Sequence, residues 1–107
     1  MSTPFEGIAD LDRVVHEPAR LAILSALSAC ASADFVFLQR ITGLSKGNLG
    51  AHLSKLEEAG LISTVKEFVG RMPRTTVTLT DDGRVRVETY WRELERLSRA
   101  VRRWRPA

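Results

Sequence analysis

Between Ser45 and Ala59 the chain reads SKGNLGAHLSKLEEA, which sets Asn48, His52 and Lys55 four and three residues apart. On a helix that spacing lines them along one stripe. These side-chain types can read nucleic acid: an Asn amide bonds bidentately to adenine, and a Lys reaches guanine or a phosphate. Ser45 and Lys46 begin the same segment, where unpaired backbone N–H groups favour a phosphate. Gly47 and Gly50 each weaken a helix by about 1 kcal/mol relative to Ala, and would let another surface approach the backbone closely. Any surface helix carries polar residues opposite its apolar ones, so the stripe alone does not decide. A second group, Lys66, Arg71 and Arg74, follows a few residues later. Arg suits a narrowed A·T-rich minor groove, where negative potential is concentrated. An exposed loop kept soluble by charge would have the same composition. The nucleic-acid reading is favoured because these cations sit at the far end of a hairpin that follows the candidate helix.

Other chemistry has little to work with. The chain has no glycine-framed nucleophile turn, no phosphate loop and no His-x-x-x-His. Cys30, His16 and His52 are scattered singly, whereas a metal site needs ligands at short spacing. No enzyme activity, metal or cofactor is expected. A lone cysteine cannot form an internal disulfide. The start, Met-Ser-Thr-Pro-Phe-Glu, lacks a charged region followed by an apolar run. The longest uncharged stretch, Leu21–Ala33, is thirteen residues, too short to span a bilayer. A soluble, cytoplasmic protein with no membrane partner is expected.

The 107 residues are one domain's worth of chain, 44% hydrophobic and 27% charged, enough to fold. So short a chain has modest stability alone, and a second copy would help it. Charge is divided unevenly. Residues 1–44 carry three basic and five acidic side chains, whereas residues 45–107 carry thirteen basic and eight acidic. Thirteen of the sixteen cations are Arg, which forks onto phosphate and guanine. The second half therefore suits a polyanion.

The elements that must position these groups follow from spacing and caps. Ile8, Leu11 and Val15 predict a short helix over 7–15. Pro18 suits the first turn of a core helix over 18–31, with Leu21, Ile23, Leu24, Leu27 and Cys30 as its apolar face. Asp34 caps a helix over Phe35–Thr42, which Gly43 ends. Ser45 caps the next, whose Leu49, Leu53 and Leu56 face inward, and Gly60 and Leu61 close it. The two form a helix-turn-helix over 35–59, joined by about four residues. Leu61–Phe68 and Thr75–Thr80 predict the strands of a hairpin within 61–80, with 69–74 as a loop and Arg71 and Arg74 at its tip. Thr80 caps a last helix over 81–104, with Asp81 and Asp82 at its positive end. Along it Val87, Tyr90, Leu94, Leu97, Val101 and Trp104 step by three and four, a heptad seam. A helix this long outruns a small core. The seam, with Ile8, Leu11 and Trp91, is the expected contact to a second copy. The fold class is mainly α with a small β-hairpin: a winged helix-turn-helix with an added N-terminal helix and a long C-terminal dimerisation helix.

The sequence resembles the winged-helix transcriptional regulators of the MarR/ArsR superfamily, in particular their short single-domain branch. Three stretches carry the likeness: HEPARLAIL at 16–24; Phe35 to Ile62, with GLSKGNL at 43–49 and HLSKLEEAGL at 52–61; and FVGRMPRT at 68–75 followed by LTDDGR at 79–84. They cover residues 16–86 or so. The resemblance implies a homodimer, expected to be a repressor, that binds double-stranded DNA through Ser45, Lys46, Asn48, His52, Lys55, Lys66, Arg71 and Arg74. The paired cysteines of metal-sensing relatives are missing here. Gly50 stands where a Ser or similar polar residue is expected. Two other readings remain: a winged-helix protein–protein adaptor without DNA affinity, and a regulator whose dimer crevice takes a small-molecule effector.

Overall fold

The computed structural model describes residues 3–107; Met1 and Ser2, the start of the stretch read for a leader, lie outside it. Five helices and three strands run in the order α1 (Pro4–Ala9), α2 (Pro18–Cys30), β1 (Ser32–Asp34), α3 (Phe35–Thr42), α4 (Lys46–Glu58), β2 (Ile62–Val69), β3 (Met72–Leu79) and α5 (Asp81–Arg103). The fold is mainly helical, with the strands forming one antiparallel sheet in the order β1-β3-β2. Ile23, Leu24, Leu27, Leu38, Leu49, Leu56, Leu61 and Val77 are its fully buried centre.

The first helix differs from expectation. It spans Pro4–Ala9 instead of 7–15, because Thr3 accepts the Glu6 N–H and Pro4 occupies the first turn. Residues 10–16 are turns, held by the Asp12 carboxylate, which accepts the N–H groups of Val14 and Val15 at 3.0 and 3.3 Å. A carboxylate that captures the local backbone competes with a helix. Leu11 and Val15 are still buried, so the apolar spacing was a core signal without the helix.

Asp12 also reaches α5. Its two oxygens accept from Arg86 Nε and Nη2 at 2.9 and 3.0 Å, a bidentate pair that ties the N-terminal turns to the long helix. The Arg86 hydrogen bonds hold the Asp12 carboxyl below its usual range, outweighing partial burial, which raises it. Beside them a 2.7 Å hydrogen bond joins His16 Nδ1 and the Tyr90 hydroxyl, whose own pKa burial pushes up.

A third strand, β1, has no counterpart in the predicted elements. Ser32–Asp34 pairs with Thr78–Thr76, and three residues are too few for alternation to show. Leading into it, Ala31 closes α2 at φ +66°, a conformation that L residues adopt at a cost. Cys30, expected on the buried face of α2, is exposed there.

α4 ends as its sequence predicts. Gly60 takes φ +77° and donates to Glu57 O, while Leu61 N–H reaches Leu56 O at 3.0 Å, the paired bonds of a Schellman motif. Two residues on, the chain becomes β2, and after the hairpin it returns to the same spot. Thr80 N–H donates to Leu61 O, its hydroxyl donates to Gly60 O at 2.7 Å, and the hydroxyl oxygen accepts the Gly83 N–H that starts α5. A Cβ at Gly83 would lie 2.1 Å from Leu61 O, so this crossing needs glycine.

α1 packs on the far part of α5, where Gly7 leaves room for Leu97, and Phe5 meets Trp104 edge-on at 5.1 Å. The result is elongated, 66 × 25 × 21 Å, with a radius of gyration of 16.6 Å. A compact chain of this length would have about 13 Å.

Two outcomes test this frame. Gly83→Ala should destabilise by about 1–3 kcal/mol in urea unfolding although Ala favours helix, because the obstructing atom is backbone. An unchanged midpoint would refute the crossing. Asp12→Asn should cost about 1–2 kcal/mol at neutral pH. A depressed carboxyl stabilises above its unfolded pKa of about 3.9 and loses that contribution as pH falls through the folded value. Wild type and variant should therefore converge in acid titrations of stability once the pH lies below the folded-state value of Asp12, which is under the ordinary carboxylate range.

Candidate nucleic-acid interface

α4 is built to present one face. Ser45 caps it, its hydroxyl oxygen accepting the Asn48 N–H at 3.2 Å, and Leu49, Leu53 and Leu56 fix the opposite side in the core. Ser45, Lys46, Asn48 and Lys55 are exposed, as expected. His52 is not. It turns inward, with three-quarters of its side chain covered and Nδ1 3.7 Å from Glu17 Oε2, too far for a hydrogen bond. At about 100° per residue, His52 lies only some 60° from the centre of the leucine face, which explains the turn.

Glu17 is itself engaged as the cap of α2, accepting the Ala19 and Arg20 N–H groups at 3.2 and 2.8 Å. Burial raises its carboxyl, but those N–H groups and the facing His52 outweigh this and leave it lowered. His52 thus belongs to the packing of α4 against α2.

The same angular count places Gly47, Ala51, Ser54 and Glu58 at the centre of the outward face, with Asn48 and Lys55 on one flank. Reading the polar stripe alone missed this, because small residues carry no chemical signal. A Cβ on Gly47 or Gly50 would meet no atom of the described residues within 4 Å, so the fold itself does not require glycine at either position.

The hairpin is longer and tighter than its sequence suggests. β2 and β3 run to Val69 and Met72, leaving a two-residue turn of Gly70 and Arg71 in place of a six-residue loop. Gly70 at φ +64° supplies the positive angle that such a turn needs at its first position. Pro73 is tolerated in β3 because β1 stops at Asp34–Thr76 and leaves that stretch unpaired on one side. Arg71 is therefore at the tip, but Arg74 is not: it sits within β3 opposite Glu67, two rungs back.

α4 and the hairpin border the same hollows. Lys46 shares one with Val69, Met72 and Arg74; Gly50 and Ser54 share another with Thr64 and Lys66. The start of α4 and two of the hairpin cations, Lys66 and Arg74, thus border neighbouring hollows. Among the described residues no group of three His, Cys, Asp or Glu side chains could hold a metal ion, and no helix is long and apolar enough to cross a membrane.

The expected self-contact divides in two. Leu11, Val87, Tyr90 and Leu97 are buried by the chain's own core and have little surface left to offer. Ile8, Trp91 and Trp104 are exposed, as is Phe5, which the periodicity did not mark; Leu94 and Val101 are half-buried. The heptad seam is thus largely the inner face of α5.

A family model described as a winged helix DNA-binding domain matches residues 19–98. An uncharacterized protein of Methanocaldococcus jannaschii is 32% identical over 89 residues, 83% of this chain and 97% of its own. A transcriptional regulator homologue of Pyrococcus horikoshii superposes with a TM-score of 0.83 at 30% identity, covering 90% of this chain and 97% of that one. A MarR-family transcriptional regulator of Silicibacter pomeroyi, 19% identical, gives 0.66 over 89% of this chain and 63% of its own, a likeness of fold.

Since open space surrounds both positions, Gly47→Ala and Gly50→Ala should each stabilise the protein by about 0.5–1 kcal/mol in thermal unfolding. A loss of stability would mean that the backbone of α4 depends on these glycines.

Proposed function

The chain belongs to the winged helix DNA-binding domain family, and from that premise we propose that it regulates transcription as a homodimer on double-stranded DNA. The observation that supports this reading is that α4 and the hairpin border common hollows, Lys46 with Arg74 in one and Gly50 and Ser54 with Lys66 in another, while Asn48, Lys55 and Arg71 are exposed. α4 enters the major groove, with Ser45 holding its first turn and Asn48 reading a base edge. The small centre of α4 lets the backbone sit deep, while Lys55 and the hairpin cations grip phosphate. His52 acts from behind, steadying α4 on α2, and touches no base. Repression by occlusion of an operator is the simplest consequence. No catalytic step is assigned to the chain, and it works in the cytoplasm, where the DNA is.

The second copy docks on the projecting end. Phe5, Ile8, Trp91 and Trp104 expose apolar surface there, beyond what the elongated protomer can cover. Leu94 and Val101 extend that surface along α5. Pairing two protomers at this end leaves both α4 surfaces free, and a two-fold axis then dictates a palindromic site.

Selection of duplexes from a random pool, with mass measured by sedimentation, tests both halves. A palindromic consensus bound by a dimer is expected; absence of duplex affinity at low salt would favour the protein–protein adaptor. Lys55→Ala or Arg74→Ala should weaken binding to all sequences and flatten the salt dependence by about one unit of slope. Asn48→Ala should instead relax base preference, while His52→Ala should lower stability before specificity. Trp91→Glu with Trp104→Glu should yield a monomer that binds half-sites weakly.

A further inference from the structure

The end of the hairpin is apolar where solvent would favour charge. Phe68 is 74% exposed, Met72 70% and Val69 50%. The register pairs Phe68 with Pro73 and Val69 with Met72, so the last two rungs before the turn carry only apolar side chains. Alternation puts Phe68 and Pro73 on the face that continues through Lys66 and Thr75 to the core, the face that shares a hollow with Gly50 and Ser54 of α4. Around these rungs stand Lys66, Arg71 and Arg74 against one acid, Glu67. Nothing in the chain's own packing needs this arrangement, and an exposed apolar hairpin end invites misassociation.

We propose that the hairpin end is a wedge: Phe68, with its cross-strand partner Pro73 beside it, inserts between base pairs of the bound duplex from the minor groove and kinks it. The proposal rests on the DNA reading above and adds to it a deformation of the bound DNA. The complementarity is specific. A duplex offers two phosphate rails flanking an apolar base stack, and the hairpin offers cations flanking an apolar centre. A two-residue turn containing Gly70 keeps the leading end slim enough for a groove about 6 Å wide. Apolar side chains used in this way unstack one step and bend the duplex toward the major groove. The cost of unstacking depends on the step, lowest at flexible pyrimidine–purine steps, so the wedge would add sequence preference where no hydrogen bond is made.

The test uses the full chain and the duplex obtained by selection, with 2-aminopurine placed at each step in turn and dyes at both ends. Binding by wild type is expected to raise 2-aminopurine emission at one step per half-site and to shorten the end-to-end distance. Phe68→Ala should abolish both signals and weaken binding roughly tenfold, with the salt slope unchanged, because no phosphate contact is lost. Phe68→Leu should keep part of each signal. Phe68 is exposed, so thermal unfolding of the variants should match wild type. Duplex binding without unstacking or bending would overturn the wedge and leave the DNA reading intact. Failure to bind any duplex would remove both. Loss of dimer mass in Phe68→Ala would overturn the wedge by showing that the hairpin end joins two copies instead.

Discussion

The placement of every surface described above depends on one crossing of the chain. Where α4 has just ended and α5 is about to begin, the backbone of Gly60–Leu61 lies against Thr80–Gly83, and Leu61 O occupies the space that a side chain at residue 83 would need. Thr80 satisfies three backbone groups there at once, with its N–H, its hydroxyl proton and its hydroxyl oxygen. Everything between the two strands of contact is the hairpin. The crossing therefore fixes the base of the hairpin, the exit of α4 and the origin of α5 in one rigid joint, and Glu57 reinforces it by accepting from the Thr64 N–H and hydroxyl. Several hydrogen bonds converging on one short crossing leave little freedom for one element to move without the others.

Charge follows the same division. The acidic first half supplies caps and inner ties: Asp12 to Arg86, Glu17 to the start of α2, Asp34 to the start of α3. These carboxylates are largely spent on N–H groups and one guanidinium. The cations of the second half mostly remain in solvent. The excess positive charge is thus concentrated on the hairpin and on α5 with the residues after it, whereas the two lysines of α4 are balanced by Glu57 and Glu58.

Helices bounded by a strong local signal were legible in the sequence. Pro18, Ser45, Gly60 and Thr80 each mark an end that the structure keeps, since a cap is decided within four residues. The missed features involve partners distant in the chain. β1 exists because β3 offers it an edge, a match across more than forty residues. The helix expected over 7–15 fails because Asp12 finds backbone donors and Arg86. The inward turn of His52 was available from the angular count but was masked by its polar chemistry, and the hairpin's true length depends on pairing Phe68 with Pro73, which proline in a strand argues against. Of the residues expected to meet DNA, Ser45, Lys46, Asn48 and Lys55 are exposed on α4, His52 turns inward, and Arg74 lies two rungs behind the tip where the sequence put it at the tip. Of the apolar seam on α5, Val87, Tyr90 and Leu97 are covered by the chain's own core and not by a second copy, because periodicity tells that a face is covered and not by what.

The length of α5 has a geometric meaning. Its 23 residues run from the joint at Thr80 to the projecting aromatic end. In the proposed pair it acts as a ruler between the two reading heads. Sliding one such helix along its twin by a heptad would displace the heads by about 10 Å, close to a third of a duplex turn. The aromatic side chains at its end would then govern the distance between half-sites as much as the strength of the pairing.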